Sequence, residues 1–242
     1  MRKANRIVAS VLRKIAEMVR PGVSTAELDR EAERLIRAME ATPSFKGYRG
    51  YPSSICASID EHVVHGIPSE RTLAEGEIVS IDVGTNYRGY CGDAAVTVSV
   101  GEVSLEKRRL MQVTSRALEL GVKAARAGNR VADISRAVQT EVERNGFSVI
   151  RQFVGHGIGT SPHEEPQVPN FVTDSGGPQL RPGMVLAIEP MVSAGSAEVE
   201  ILEDNWTAVT LDRKPAAHFE HTIAIRDGEP EILTLCGLDA NL

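Results

Sequence analysis

The chain has only three cysteines, Cys56, Cys91 and Cys236, widely spaced and without a CxxC pair. That spacing excludes a disulfide framework and a zinc knuckle and fits a reducing compartment, so a cytoplasmic location is expected. Positive charge is also in short supply: 27 Lys and Arg against 33 Asp and Glu leave a formal charge of -6. Nucleic acids and anionic lipid surfaces are gripped mainly by clustered basic side chains, so neither a nucleic acid nor a membrane is an expected partner. No apolar run is long enough to span a bilayer. The opening MRKANRIVASVLRKIAEMVRPG resembles a signal peptide only briefly, because Arg13, Lys14 and Glu17 interrupt any apolar core. Val8, Val11, Leu12, Ile15 and Val19 fall instead at helical spacing, which predicts an amphipathic helix ending near Pro21 and Gly22.

What is present is an ordinary globular composition, 42% hydrophobic and 25% charged over 242 residues, enough for a sizeable core. The sequence also says one thing twice. VRPGVSTAELDR from Val19 is echoed by ARAGNRVADISR from Ala125, and LAEGEIVSID from Leu73 by LRPGMVLAIE from Leu180, at offsets of 106 and 107 residues. The first pair reads as a helix end, a turn and a capped new helix; the second reads as a glycine turn and a short strand. The order is therefore helices then strands, repeated, which predicts an α+β fold whose pseudo-symmetric halves feed one sheet. With no long linker between the halves, one domain over residues 1–242 is expected.

Four acids stand where strands should be apolar. Asp82 ends IVSID, and Asp93 follows in CGDAAVTVSV after a turn-like NYRG, so the two strands should form a hairpin. Glu189 closes MVLAIE before Pro190, and Glu220 stands in AHFEHTIAI. Any one of them could be a turn residue, an edge charge or a salt-bridge partner. Four carboxylates gathered inside a sheet would repel one another and suffer heavy desolvation unless a cation compensated them, and a pair of divalent ions is the simplest compensation. GHGIGTSPHEEPQVPN adds two imidazoles, His156 and His163, in a stretch that glycine and proline keep out of regular helix. Carboxylates with one imidazole suit Mn, Fe, Co or Zn, and two such ions a few Å apart can share a water-derived nucleophile. One histidine could then be a ligand and the other a catalytic hydrogen-bonder. The glycines flanking His156 would allow close approach. They do not form a phosphate loop, since no Lys-Ser/Thr follows.

Taken together, HGIP at His65, IDVG at Asp82, GDAA at Asp93, GHGIG at His156, HEEPQVPN at His163, IEPM at Glu189 and FEHT at Glu220 closely resemble the type I methionine aminopeptidases over nearly the whole chain. The resemblance implies the pita-bread fold, with a central antiparallel sheet flanked by helices, and a compact catalytic domain without an N-terminal extension. It implies a dinuclear site in which Asp82 holds one ion, His156 and Glu189 the other, and Asp93 and Glu220 bridge both. The ions would be drawn from Co, Mn, Fe(II), Zn or Ni. His163 would stabilise charge on the scissile carbonyl oxygen, His65 would hydrogen-bond the substrate near the scissile amide, and Glu189 could accept a proton. Tyr48, Tyr51, Cys56 and Trp206 would line a methionine pocket, a soft apolar surround for a thioether.

Two positions depart from the family pattern. Phe45 stands where many relatives carry a small residue, and Pro162 where many carry a bulky one; both bear on pocket shape. His62, His218 and His221 are expected to make ordinary hydrogen bonds or face solvent. The activity implied is removal of the initiator methionine from nascent polypeptides whose second residue is small, by a monomer, with ribosome association open. A prolidase or Xaa-Pro aminopeptidase would share the five ligands but usually carries a further domain. A non-catalytic binding module on the same scaffold would typically have lost ligands.

Overall fold

The computed structural model describes residues 1–235, so Cys236 lies outside the described residues. Among the described residues there are four α-helices: α1 (Arg2–Met18), α2 (Thr25–Ala38), α3 (Leu105–Ala124) and α4 (Val131–Arg144). None is long and apolar enough to cross a membrane. The apolar stripe read at the N-terminus is the buried face of α1, with Val8, Val11 and Ile15 fully enclosed. This helix lies across the hairpin formed by the strands Ile78–Tyr87 and Tyr90–Ser99. The hairpin closes at Arg88 and Gly89, whose φ values of 52° and 80° are the paired left-handed conformations a two-residue turn needs. Helix α3 packs in turn against the strands that follow α4.

The repeat heard in the sequence is a repeat of hydrogen bonds. Gly22 N donates to Leu73 O at 2.8 Å, and its counterpart Gly128 N donates to Leu180 O at 3.0 Å. Isolated bridges join Ser24 to Thr72 and Arg130 to Gln179. Gly76 N reaches Val100 O at 2.9 Å just as Gly183 N reaches Ile225 O at 3.0 Å. Ser24 caps α2 with a box closed by Glu27, and Asp133 in the first turn of α4 accepts from the Arg130 backbone at 2.8 Å. Each half therefore delivers two helices and then a strand that enters the core: Ile78–Tyr87 in one, Val185–Ile188 in the other.

Every strand pair is antiparallel among the described residues. The two sheets that carry the acids meet along a seam of polar backbone contacts. Glu220 N donates to Ala95 O at 2.9 Å, Thr222 Oγ1 to Asp93 O at 2.7 Å and Thr97 Oγ1 to His218 O at 2.8 Å. A continuous apolar cluster under α1, α3 and α4 holds the seam from behind. The concave face in front of it is where the acids point.

Candidate metal centre

Register brings the acids together. On the hairpin Asp82 pairs with Ala95 and Gly84 with Asp93, so Asp82 and Asp93 are diagonal neighbours on one face of the pleat. Glu189 follows the strand Val185–Ile188, the strand His221–Ala224 begins just after Glu220, and the pairing of Ile188 with His221 sets those two glutamates side by side. His156 sits on Gly155–Gly157, paired with Ala187. A Cβ on Gly155 would lie 2.4 Å from Ala187 O and one on Gly157 2.2 Å from Glu165 O. Both glycines are thus needed so that the neighbouring strands can close around His156.

Ligand atoms of Asp93, His156 and Glu220 lie within 4.8 Å of one another, and His156 Nε2 is 3.4 Å from Glu189 Oε1. The donor set fits a divalent cation. Asp82 Oδ1, Asp93 Oδ1 and Glu220 Oε1 are closed off from solvent and have no hydrogen-bond partner, a costly state for buried carboxylates unless something positive faces them. Burial pushes the Asp82 carboxyl up to about 7, a hydrogen bond from Asp93 partly offsetting it. Asp93, Glu189 and Glu220 are pushed well above the usual carboxylate range, first by burial and then by the neighbouring acids. His156 Nδ1 lies 2.9 Å from Gly157 O. A carbonyl can only accept, so Nδ1 carries the proton and Nε2 keeps the lone pair a metal requires.

Around this centre is a cavity of about 620 Å³, and all the residues marked in the sequence for metal, substrate or catalysis line it. Cys56 is the register partner of Asp82, which places the thiol beside the acids. Tyr51 is buried, with its hydroxyl donating to Ile55 O at 3.1 Å and Gly66 O at 3.0 Å and its ring edge-on to Trp206 at 5.1 Å. Trp206 is presented by a turn in which Asp204 accepts from the amides of Trp206 and Thr207, both at 2.8 Å. His65 has a left-handed backbone, φ 60°, and its ring stands perpendicular to Phe153 at 5.3 Å. Such strain in a non-glycine residue tends to be kept at functional sites. Burial lowers His65 and His156 to about 4, so both rings are neutral at pH 7.

Tyr48 does more than line the cavity. Its hydroxyl is 3.2 Å from His163 Nδ1, and the two rings stack at 5.3 Å while Arg49 lies over the outer face of the tyrosine. The loop bearing His163 is tied down at Glu164, whose Oε1 accepts from Ser161 N at 2.9 Å, and at Gly159, whose carbonyl accepts from Cys91 N at 2.8 Å. Of the two unusual positions, Phe45 lines the cavity and Pro162 is half-buried in the loop before His163.

One expectation is corrected. His221 makes an ordinary contact, its Nδ1 3.0 Å from Thr234 Oγ1, but His218 neither faces solvent nor has its ring satisfied: it lines the cavity, and its buried Nε2 has no partner. Asn170, also overlooked, is buried and donates to Glu189 O at 3.0 Å. No sequence signal distinguished His218 from His221, because only the fold shows which ring turns inward.

A buried cluster of acids and one imidazole at the bottom of a peptide-sized cavity is the centre of a metallohydrolase. The model of metallopeptidase family M24 matches residues 1–227. Methionine aminopeptidase 1 of Bacillus subtilis is 52% identical over 97% of this chain and 94% of its own length. The methionine aminopeptidase of Clostridium acetobutylicum is 52% identical over 98% of this chain and 95% of its own length. The crystal structure of the Thermotoga maritima methionine aminopeptidase superposes with a TM-score of 0.95 at 46% identity, covering 97% of this chain and 94% of that one. Prolidase from Pyrococcus furiosus, at 21% identity and a TM-score of 0.79, shares the fold. The chain belongs to metallopeptidase family M24 and, within it, to the methionine aminopeptidases of type I.

Proposed function

We propose that the protein is a metal-dependent aminopeptidase that removes the initiator methionine from nascent polypeptides whose second residue is small. The observation that carries this reading is the convergence, in one cavity, of five candidate ligands with a thiol, a tryptophan and two tyrosines. Asp82, Asp93, His156, Glu189 and Glu220 would hold two divalent ions. When bound, the ions would lower the pKa of a coordinated water and polarise the scissile carbonyl. The remaining chemistry falls to the side chains. Glu189, raised by burial, would accept a proton from the attacking water and return it to the leaving amine.

His163 would donate to the developing oxyanion. If the Tyr48 hydroxyl donates to Nδ1, the ring proton resides on Nε2, which would then donate to the charge that forms. Partial enclosure by the cavity walls and then the Arg49 charge lower the His163 pKa although one side of the ring is open to solvent, which favours a neutral donor. His65, also neutral, would hydrogen-bond the substrate beside the scissile amide. Cys56, Tyr48, Tyr51 and Trp206 would take the thioether. The reading extends to one catalytic domain, a monomeric state, a cytoplasmic location and nascent polypeptide N-termini as substrates.

The test is hydrolysis of Met-Ala-Ser beside Ala-Ala-Ser and an Xaa-Pro peptide, using chelator-stripped protein before and after addition of Mn, Co or Fe(II). Metal-restored release of methionine from the first peptide alone is expected. Cleavage of the Xaa-Pro peptide in its place would overturn the specificity, and inertness with every metal would overturn the activity.

A further inference from the structure

The cavity contains a buried polar side chain that none of these roles uses. His218 ends the strand Ala216–His218 and is 2% exposed. Its main chain is fixed by Thr97, which accepts from His218 N at 2.9 Å and donates to His218 O at 2.8 Å. The ring is left without such support. Its Nε2 is sealed from solvent, has no hydrogen-bond partner, and faces Glu189 Oε2 at 3.8 Å. The other oxygen of the same carboxylate, Oε1, is 3.4 Å from His156 Nε2. Glu189 thus stands between two imidazoles, one for each oxygen, while Asn170 holds its backbone carbonyl.

We propose that His218 is a positioning residue whose Nε2–H donates to Glu189 Oε2 when a divalent ion is bound, leaving Oε1 to the ion beside His156. The two oxygens of a carboxylate are equivalent until something distinguishes them, and a donor on one selects the other as ligand. Contraction of the 3.8 Å gap by less than an ångström makes that bond. The fold supports the assignment. Thr222 Oγ1 donates to Asp93 O as Thr97 Oγ1 donates to His218 O, so His218 is the second half's counterpart of Asp93. Where the first half supplies a carboxylate, the second supplies a donor, which steadies an existing ligand without adding another buried negative charge.

The inference rests on the reading of Glu189 as a metal ligand, and the test separates the two. Stripped parent, His218→Leu and His218→Gln are titrated with Mn(II) by calorimetry, then assayed for kcat and KM on Met-Ala-Ser. His218→Leu should bind at least ~10-fold more weakly, the range typical of lost partners behind a metal ligand, with kcat falling more than KM changes. His218→Gln, whose amide nitrogen can donate from nearly the same place, should stay within about threefold of the parent. Parent-like affinity in His218→Leu, or equal impairment in His218→Gln, overturns the proposal. A crystal structure of the Mn-loaded parent decides the matter even if the leucine variant does not fold: Nε2 within about 3.2 Å of Oε2 upholds it, whereas a longer distance or the ring on the ion overturns it. A parent that binds no ion refutes the Glu189 reading itself.

Discussion

Replacing Asp82 by Asn should make the metal-free protein more stable, and more so at pH 8 than at pH 5. Burial moves the Asp82 carboxyl from 3.8 to about 7 in the folded state. For an acid raised in this way, the protonated form contributes stability that is fully present below the unfolded pKa near 3.8 and is lost as pH rises through about 7. At 1.36 kcal/mol per pH unit the whole loss is roughly 4 kcal/mol, of which roughly 2–3 kcal/mol falls between pH 5 and pH 8. Asparagine keeps the shape and removes the titration. The histidines His65, His156 and His218, lowered to about 4, 4 and 3, oppose this trend in each protein but are common to both and cancel in the difference; Asp93, Glu189 and Glu220, each raised by burial and in part by the Asp82 charge, are relieved by the substitution and move the difference in the same sense. Chelator-stripped parent and Asp82→Asn are compared by urea denaturation at the two pH values. The variant's advantage should grow by roughly 2–3 kcal/mol at pH 8, or on the order of 5–10 °C in melting temperature. Adding Mn should reverse the order, because only the parent retains all five proposed ligands. An advantage that is flat or shrinks with rising pH would refute the claim that buried, uncompensated charge strains the empty site.

Other changes probe single links. His163→Ala should lower kcat by roughly 10²–10³, as loss of one oxyanion donor does, with bound metal unchanged by elemental analysis. Trp206→Ala removes the ring edge-on to Tyr51 at 5.1 Å, which would also form a wall of the proposed thioether pocket; KM for Met-Ala-Ser should rise ~10-fold while a stripped sample loses ~1–3 kcal/mol of stability. A normal KM would assign the tryptophan to packing. Gly155→Ala forces a methyl to within 2.4 Å of Ala187 O, so the strands around His156 must part; metal affinity by calorimetry should fall together with a loss of roughly 1–3 kcal/mol in stability.

Much of this was legible in the sequence for a physical reason. Strands reject acids, so Asp82, Asp93, Glu189 and Glu220 were conspicuous against Ile, Val and Ala; register then placed all four at one seam. The echo at Gly22 and Gly128 was legible because both need a left-handed backbone, φ 88° and 94°, which few residues other than glycine adopt comfortably. What stayed hidden were contacts between residues far apart in sequence. Tyr48 and His163 lie 115 residues apart, and nothing local to either indicates that the phenol meets the imidazole's Nδ1. His218 and His221 flank the same glutamate at the facing ends of successive strands, yet only the fold shows that the first ring lines the cavity.

The relation between the halves explains why the site is asymmetric. Asp82 and Glu189 are counterparts by position in LAEGEIVSID and LRPGMVLAIE, and each ends a run that enters the core, so a twofold ancestor's geometry is enough to face two carboxylates across the seam. Peptide hydrolysis, however, needs unlike neighbours: an acceptor, a donor and a softer ligand in fixed places. The halves diverge there. Ala95 lies opposite Asp82 on the hairpin, whereas its neighbour across the seam is Glu220, and Asp93 is answered by His218. His156 comes from a strand that, among the described residues, pairs only within the second half's sheet. The equivalent hydroxyl-to-carbonyl bonds of Thr97 and Thr222 thus tie the two halves together across the seam, and unequal side chains at equivalent positions supply the different chemical roles. If so, exchanging counterparts should be far more damaging than conservative change at either one. A His218→Asp variant, which restores the symmetry, would bury another acid against Glu189 and should bind Mn more weakly than His218→Gln at pH 8; tighter binding would refute this account of the asymmetry.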